Sequence, residues 1–232
     1  RIDDEHFPEL GREFGIVAQI VDQVADRAVF GKGHEIAAHQ APGGLFRVCQ
    51  RAFYRRPVFG LHLGEHGLLG CMVEWFARVD DSPSAGDPYA DPSTYRKYAL
   101  ASVTTHDLPP TAGYLQFEHV KLREQLHLLS GPVEEFQASA TAERDAMMDR
   151  LVESGLITPE VAGDVEGHIQ EIVEAMHKML LKSPSVLLQA ALVDGVGETR
   201  TQNQPGTSSE YSNWRVPLAG PDLKVVHTDE VF

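Results

Sequence analysis

The hydrophobic pattern of the chain changes period several times, and its sharpest break falls near the middle. Ala99-Leu100-Ala101-Ser102-Val103-Thr104-Thr105 is an apolar, partly β-branched run, the pattern of a buried strand. It breaks into His106-Asp107, and then Leu108-Pro109-Pro110-Thr111-Ala112-Gly113 forbids the strand from continuing. A helix is predicted from about Ala112. Upstream, residues 71–78 read as a strand, residues 58–66 as a helix stopped at Gly67, and the proline-rich residues 80–92 as a loop.

Downstream, residues 117–183 are mostly helical in pattern. Thr141 is placed to cap a helix that runs through Ala146, Met147 and Leu151 and stops at Gly155. Thr158-Pro159-Glu160 combines a capping hydroxyl with proline at the first helical position. Ile169, Ile172, Val173, Met176 and Leu180 make one apolar stripe that ends at Ser183-Pro184. The methionines here read as packing. Residues 186–193 form another buried segment, strand or short helix, which runs into the glycine-rich Asp194-Gly195-Val196-Gly197-Glu198. Residues 1–64 are less regular. Ile16, Ile20, Val24 and Ala28 suit a helix over 14–29, but residues 47–56 follow neither period, so local signals conflict there.

Charge sharpens this division. The net charge of −14 argues against nucleic acid and anionic membranes as partners and favours a neutral or cationic ligand. Residues 1–64 carry 8 acidic and 8 basic residues, so all the net acidity lies beyond them. At 42% hydrophobic and 23% charged, the composition is that of a globular protein with a sizeable core. The pattern predicts no membrane span or secretory signal. Cys49 and Cys71 make neither a disulfide framework nor a metal-ligand spacing, so a reducing, cytoplasmic setting is expected.

The candidate chemistry sits where apolar runs end. A carboxylate at the C-terminal lip of a buried strand is where α/β enzymes keep their sites, so Asp107 reads either as functional or as a helix-entry acid. Gly195-Val196-Gly197 lacks the remaining features of a dinucleotide loop or P-loop. The His-Asp pair follows a strand, unlike the helix-borne pair of a metal-dependent phosphohydrolase, and no serine or cysteine sits on a nucleophile elbow. Residues 203–215 mix Asn, Gln, Tyr, Trp and Arg among turn residues, a set that suits stacking and hydrogen bonding to sugar rings. Composition alone fits an ordinary surface loop equally well.

Three of these elements together resemble the bacterial 4-α-glucanotransferases, the amylomaltases of glycoside hydrolase family 77. They are residues 100–115 around His106-Asp107, Asn203-Gln204-Pro205-Gly206-Thr207 with Asn213-Trp214-Arg215, and Gly67-Leu68-Leu69-Gly70 with Glu74-Trp75-Phe76. The resemblance covers residues 57–232. It implies an α/β fold, the C-terminal part of a (β/α)8 TIM barrel with an inserted helical subdomain. The strands at 71–78, 100–105 and 186–193 would be its sixth, seventh and eighth. The implied divisions are residues 1–64, a poorly matching and disrupted barrel portion; 65–116, barrel strands with the His-Asp motif; 117–183, the helical insertion; and 184–232, the last strand and a sugar-binding segment.

The resemblance further implies retaining transfer of α-1,4-glucan segments between malto-oligosaccharides, with glucose as an acceptor and no metal or organic cofactor. Retention requires a nucleophilic carboxylate and an acid/base carboxyl about 5–5.5 Å apart. Asp107 matches the family's third carboxylate, which grips sugar hydroxyls and favours the oxocarbenium-like state. His106 and Asn203 match residues that hold the donor sugar. Arg1-Ile2-Asp3 begins the family's Arg-x-Asp-His nucleophile motif, which makes Asp3 a catalytic candidate and Arg1 a binding one, but Asp4 stands in place of the histidine. Gln50 falls where the acid/base glutamate is expected, and an amide cannot protonate a leaving oxygen. Residues 4–56 therefore depart from the family in the manner of a reading-frame disruption or local rearrangement.

Overall fold

The computed structural model describes residues 69–79 and 84–227. Among them, three strands form one parallel sheet in the order β1 (Gly70–Val73), β2 (Ala99–Ser102), β3 (Leu187–Gln189). Gly70 pairs with Ala99 and Val73 with Ser102, while Leu100 pairs with Leu187 and Ser102 with Gln189. Parallel neighbours need long crossovers, and helices occupy most of the second one. They are α1 (Thr111–Leu115), α2 (Glu118–Gln125), α3 (Val133–Glu153), α4 (Pro159–Gly163) and α5 (Ile169–Leu180), with α6 (Leu192–Gly195) following β3.

The helices and the sheet share one apolar core. Ala101 and Val103 from the β2 segment join Leu115 of α1, Met147 and Leu151 of α3, and Ile172, Met176 and Leu180 of α5 in a single buried cluster. The predicted stripe on α5 is the face that is buried, with Ile169 partly covered at its edge. The methionines of α3 and α5 are core residues, as their spacing implies.

Three local expectations are corrected. The strand predicted over 71–78 ends at Val73, and Glu74–Phe76 turns into one 3-10 coil. Tertiary contacts override the local β pattern there: Trp75 stacks on Tyr114 at 4.1 Å between ring centroids, and Glu74 turns inward to meet Arg150, whose Nη1 lies 2.7 Å from its Oε1. Thr141 caps nothing. Helix α3 begins eight residues earlier, after Gly131-Pro132, and the Thr141 hydroxyl donates to the Gln137 carbonyl inside it at 2.8 Å. The helix does stop as predicted. Gly155 takes φ +68°, its N–H bonds the Val152 carbonyl and that of Leu156 bonds Leu151, which satisfies the last turn.

Residues 186–193 contain both predicted alternatives, a strand and the start of a helix. They are not buried, however: Val186, Leu187 and Leu188 are exposed, and among the described residues β3 has β2 alone beside it in the sheet. The predicted start at Thr158 is present, its hydroxyl accepting the Val161 N–H at 3.4 Å, but α4 lasts only five residues. The helices predicted at 14–29 and 58–66 lie outside the described residues.

Candidate active site

Because the strands run parallel, their C-terminal ends open on one side of the sheet, and the site is built from the chain that leaves β2 and β3. After β2, Val103 and Thr104 remain buried, and the Thr104 hydroxyl donates to the Pro109 carbonyl at 2.9 Å. The Leu108 N–H closes a tight turn on the Thr105 carbonyl at 3.1 Å. This turn carries His106 and Asp107 at its tip, with His106 exposed and Asp107 half-buried.

Directly after the turn, Thr111 starts α1, and its backbone donor, buried and outside the helix's own hydrogen bonding, is met from the β3 side. Asp194, almost wholly buried in α6, accepts the Thr111 N–H on Oδ1 at 2.6 Å and the Thr111 hydroxyl on Oδ2 at 2.8 Å. His177 of α5 places Nε2 at 3.5 Å from the same Oδ2. Burial lifts the Asp194 carboxyl above its ordinary value, and the Thr111 donors and His177 counter this only in part.

Past α6, Gly197 at φ +73° turns the chain into a second buried anchor. Glu198 is fully buried. Its Oε1 accepts from the N–H groups of Thr199 and Arg200 and from Arg200 Nε, and its Oε2 accepts from Arg200 Nη2 and the Ala219 N–H, all within 3.0 Å. Burial opposes ionisation of Glu198, but Arg200 and the backbone donors outweigh it, so the carboxyl is held below its usual range. Here the chain passes against α1: a Cβ on Gly113 would lie 2.1 Å from the Thr199 carbonyl oxygen. Only glycine permits that approach.

These two anchors bring the loop after Arg200 across to the His-Asp turn. Asn203 Nδ2 donates to Asp107 Oδ1 at 2.6 Å, and His106 Nε2 lies 3.4 Å from the same oxygen. Oδ2 has no hydrogen-bond partner among the described residues. The loop is stiffened internally: Gln204 N–H donates to Asn213 Oδ1 at 2.8 Å, Asn213 Nδ2 donates to the Thr207 hydroxyl at 2.8 Å, and the Tyr211 hydroxyl donates to the Thr201 carbonyl at 2.6 Å. Trp214 sets its ring 5.2 Å from that of His106.

Three residues singled out in the sequence, His106, Asp107 and Asn203, are thus assembled at one place. Asp3 and Arg1 lie outside the described residues, as does Gln50. The sequence reading missed Asp194, Glu198 and Arg200. Asp194 and Glu198 sat within a segment noted only for its glycines, although an acid directly after an apolar run carries the same signal that marked Asp107.

Chemically, the cluster is a fixed acceptor with an accessible edge. An ionised carboxylate accepts only, and with one oxygen held by an amide the other can take hydroxyl donors in a set direction. Among the described residues no group of three or more His, Cys, Asp or Glu side chains could hold a metal ion. No helix among them is long and apolar enough to cross a membrane.

Comparison with known proteins decides the family. Residues 57–223 match the profile of the family described as 4-alpha-glucanotransferase. The chain belongs to the 4-alpha-glucanotransferase family. The match begins at Pro57, just beyond the stretch that departs from the family pattern. The 4-alpha-glucanotransferase of Mycobacterium tuberculosis is 49% identical over 166 residues, 72% of this chain and 22% of that protein. The 4-alpha-glucanotransferase of Haemophilus influenzae is 27% identical over 174 residues, 73% of this chain and 24% of that one. In three dimensions the chain is similar to the amylomaltase of Corynebacterium glutamicum, with a TM-score of 0.66 at 36% identity over 74% of this chain and 25% of that structure. The chain spans under a quarter of the length of the curated mycobacterial relatives. In this 4-alpha-glucanotransferase family member, the matched region includes His106, Asp107, Asn203 and Trp214.

Proposed function

We propose that this chain carries one wall of a 4-α-glucanotransferase site, in which Asp107 accepts hydrogen bonds from hydroxyls of the donor sugar while His106 and Asn203 hold that sugar in place. The observation that carries the reading is the 2.6 Å bond from Asn203 to Asp107, which joins the two family motifs at the C-terminal ends of parallel strands. The sheet order supports assigning β1, β2 and β3 to the sixth, seventh and eighth strands of a (β/α)8 barrel, with the helices between β2 and β3 as its insertion.

In the complete reaction, an α-1,4-glucan is cleaved with retention and its donor segment passes to another malto-oligosaccharide or to glucose. A charge-bearing, ring-flattened sugar forms at the transition state, and a carboxylate pinned beside the hydroxyls stabilises it more than the relaxed ground state. By their match to the Arg-x-Asp pattern, the nucleophile falls to Asp3 and a binding role to Arg1. In sequence, Gln50 stands where the acid/base is expected, and an amide N–H is far too weak an acid to protonate a leaving oxygen. The chain alone is therefore expected to bind α-glucans, in a cytoplasmic setting, with negligible transfer. Nucleic acid and membrane surfaces do not suit its charge of −14.

A second reading follows from the same substitution: a noncatalytic glucan-binding protein that keeps the contacts of residues 203–215 without chemistry. Electrophoresis of the whole chain through gels with and without glycogen, paired with a maltotriose assay, tests glucan binding and turnover side by side. Retardation by glycogen that weakens in His106→Ala, without glucose release, is expected. Glucose release that disappears in Asp107→Asn would restore full catalysis to the chain, and a mobility indifferent to glycogen would remove the glucan reading altogether.

A further inference from the structure

Trp214 combines two unfavourable features beside the candidate site. The residue is 65% exposed, whereas the chain's other tryptophan, Trp75, is 3% exposed and stacked in the core. Its backbone is also left-handed, at φ +61°, a region that a bulky L-residue enters only at a cost and that glycine enters freely. Of the four non-glycine residues with positive φ among those described, Trp214 alone stands at the His106–Asp107 turn.

The surroundings enforce this conformation. The Trp214 N–H donates to the Gln202 carbonyl at 2.9 Å, which ties it to the residue before Asn203. On one side, the Asn213 side chain is held by Gln204 and Thr207; on the other, the Arg215 N–H bonds the Ser212 carbonyl at 3.0 Å. A bent backbone that its neighbours over-determine, carrying a large ring into solvent, is the structural mark of a ligand clamp. Its ring centroid lies 5.2 Å from that of His106, with the two rings tilted by 38°.

The geometry points to Trp214 as a stacking platform for a second pyranose ring, the unit adjoining the sugar that Asp107 and Asn203 hold. The indole offers a flat apolar face and the sugar an apolar face of C–H groups, while hydroxyls at its rim remain free for water. His106 adjoins both residues, its Nε2 3.4 Å from Asp107 Oδ1 and its ring 5.2 Å from that of Trp214. The platform confers a requirement for chain length: a single glucose reaches the Asp107 cluster without using Trp214, and a linear α-glucan of several units uses both. This rests on the glucan reading proposed above.

Tryptophan fluorescence of the whole chain tests it directly, since a collisional quencher such as acrylamide reaches Trp214 and not the buried Trp75. Maltoheptaose is expected to protect the quenchable fluorescence, and glucose is not. Trp214→Gly is expected to weaken maltoheptaose binding about tenfold in calorimetry and to leave the melting temperature equal or higher, since glycine relaxes the left-handed φ. Wild-type binding with unchanged affinity in Trp214→Gly would overturn the platform alone. A lower melting temperature in Trp214→Gly would make the residue structural and overturn it too. Absence of maltoheptaose binding by the wild-type chain would overturn both the platform and the glucan reading.

Discussion

Asn203 donates to Asp107 across 2.6 Å, although the two residues stand 96 positions apart. Neither lies in regular secondary structure. Each is placed by a buried carboxylate behind it: Asp194 receives the start of the helix that follows Asp107, and Glu198 gathers the chain that leads to Asn203. The site is therefore as stiff as these two anchors, and its energetics can be tested by disturbing each contact in turn.

Asn203→Ala removes a hydrogen bond to an ionised group, worth roughly 1.5–3 kcal/mol. Glucan affinity measured by calorimetry should fall by about tenfold or more. Asn203→Asp replaces the amide donor with a second acceptor facing Asp107 Oδ1, so its melting temperature should drop further than that of Asn203→Ala. Equal drops in the two variants would show that the donor character of the amide is irrelevant.

Asp194→Ala strands both donors of Thr111 in a buried position and removes the carboxylate that His177 Nε2 faces at 3.5 Å. A loss of about 2–3 kcal/mol is expected in urea denaturation. Thr111→Ala keeps the backbone bond and should cost about 1 kcal/mol. If the two variants unfold at the same urea concentration, Asp194 is not the anchor of α1.

Gly113→Ala drives a methyl group to 2.1 Å from the Thr199 carbonyl oxygen, and both neighbours are backbone, so no rotamer relieves it. The two segments must part, at a cost of about 3 kcal/mol. Because Thr199 adjoins the Glu198 anchor, the same variant should also loosen the Asn203–Asp107 contact and lower glucan affinity. An unchanged urea midpoint would mean that α1 slides freely over residues 198–200.

Stability should fall as pH rises from about 4.5 to about 7. Burial pushes Glu74 up to about 7, against the weaker opposing pull of Arg150, from an ordinary value of 4.5. Below 4.5 both folded and unfolded chains hold the proton. Between the two values the folded chain holds more protons, so deprotonation favours unfolding, by on the order of 3 kcal/mol across the window. Asp194, also raised by burial, contributes in the same direction. Glu74→Gln imitates the protonated acid and should flatten the slope in urea titrations at several pH values. A slope unchanged in that variant would assign the pH dependence to other groups.

The sequence by itself determined the apolar stripe of α5, the helix stop at Gly155 and the apolar runs that hold β1 and β2, and it singled out His106, Asp107 and Asn203 as candidates. Each of these is written locally: in a period, in a glycine that must turn left-handed, or in a motif whose residues are close in the chain. Only the tertiary structure decided where β1 stops, since the Trp75–Tyr114 stack and the Glu74–Arg150 pair join segments distant in sequence. It also decided that residues 186–190 are exposed, because burial depends on what lies beside a strand, and among the described residues β3 has β2 alone beside it in the sheet. The roles of Asp194 and Glu198 could not be read locally for the same reason. An acid becomes an anchor only when folding brings donors to it, and the donor partners of Asp194 lie 83 residues away.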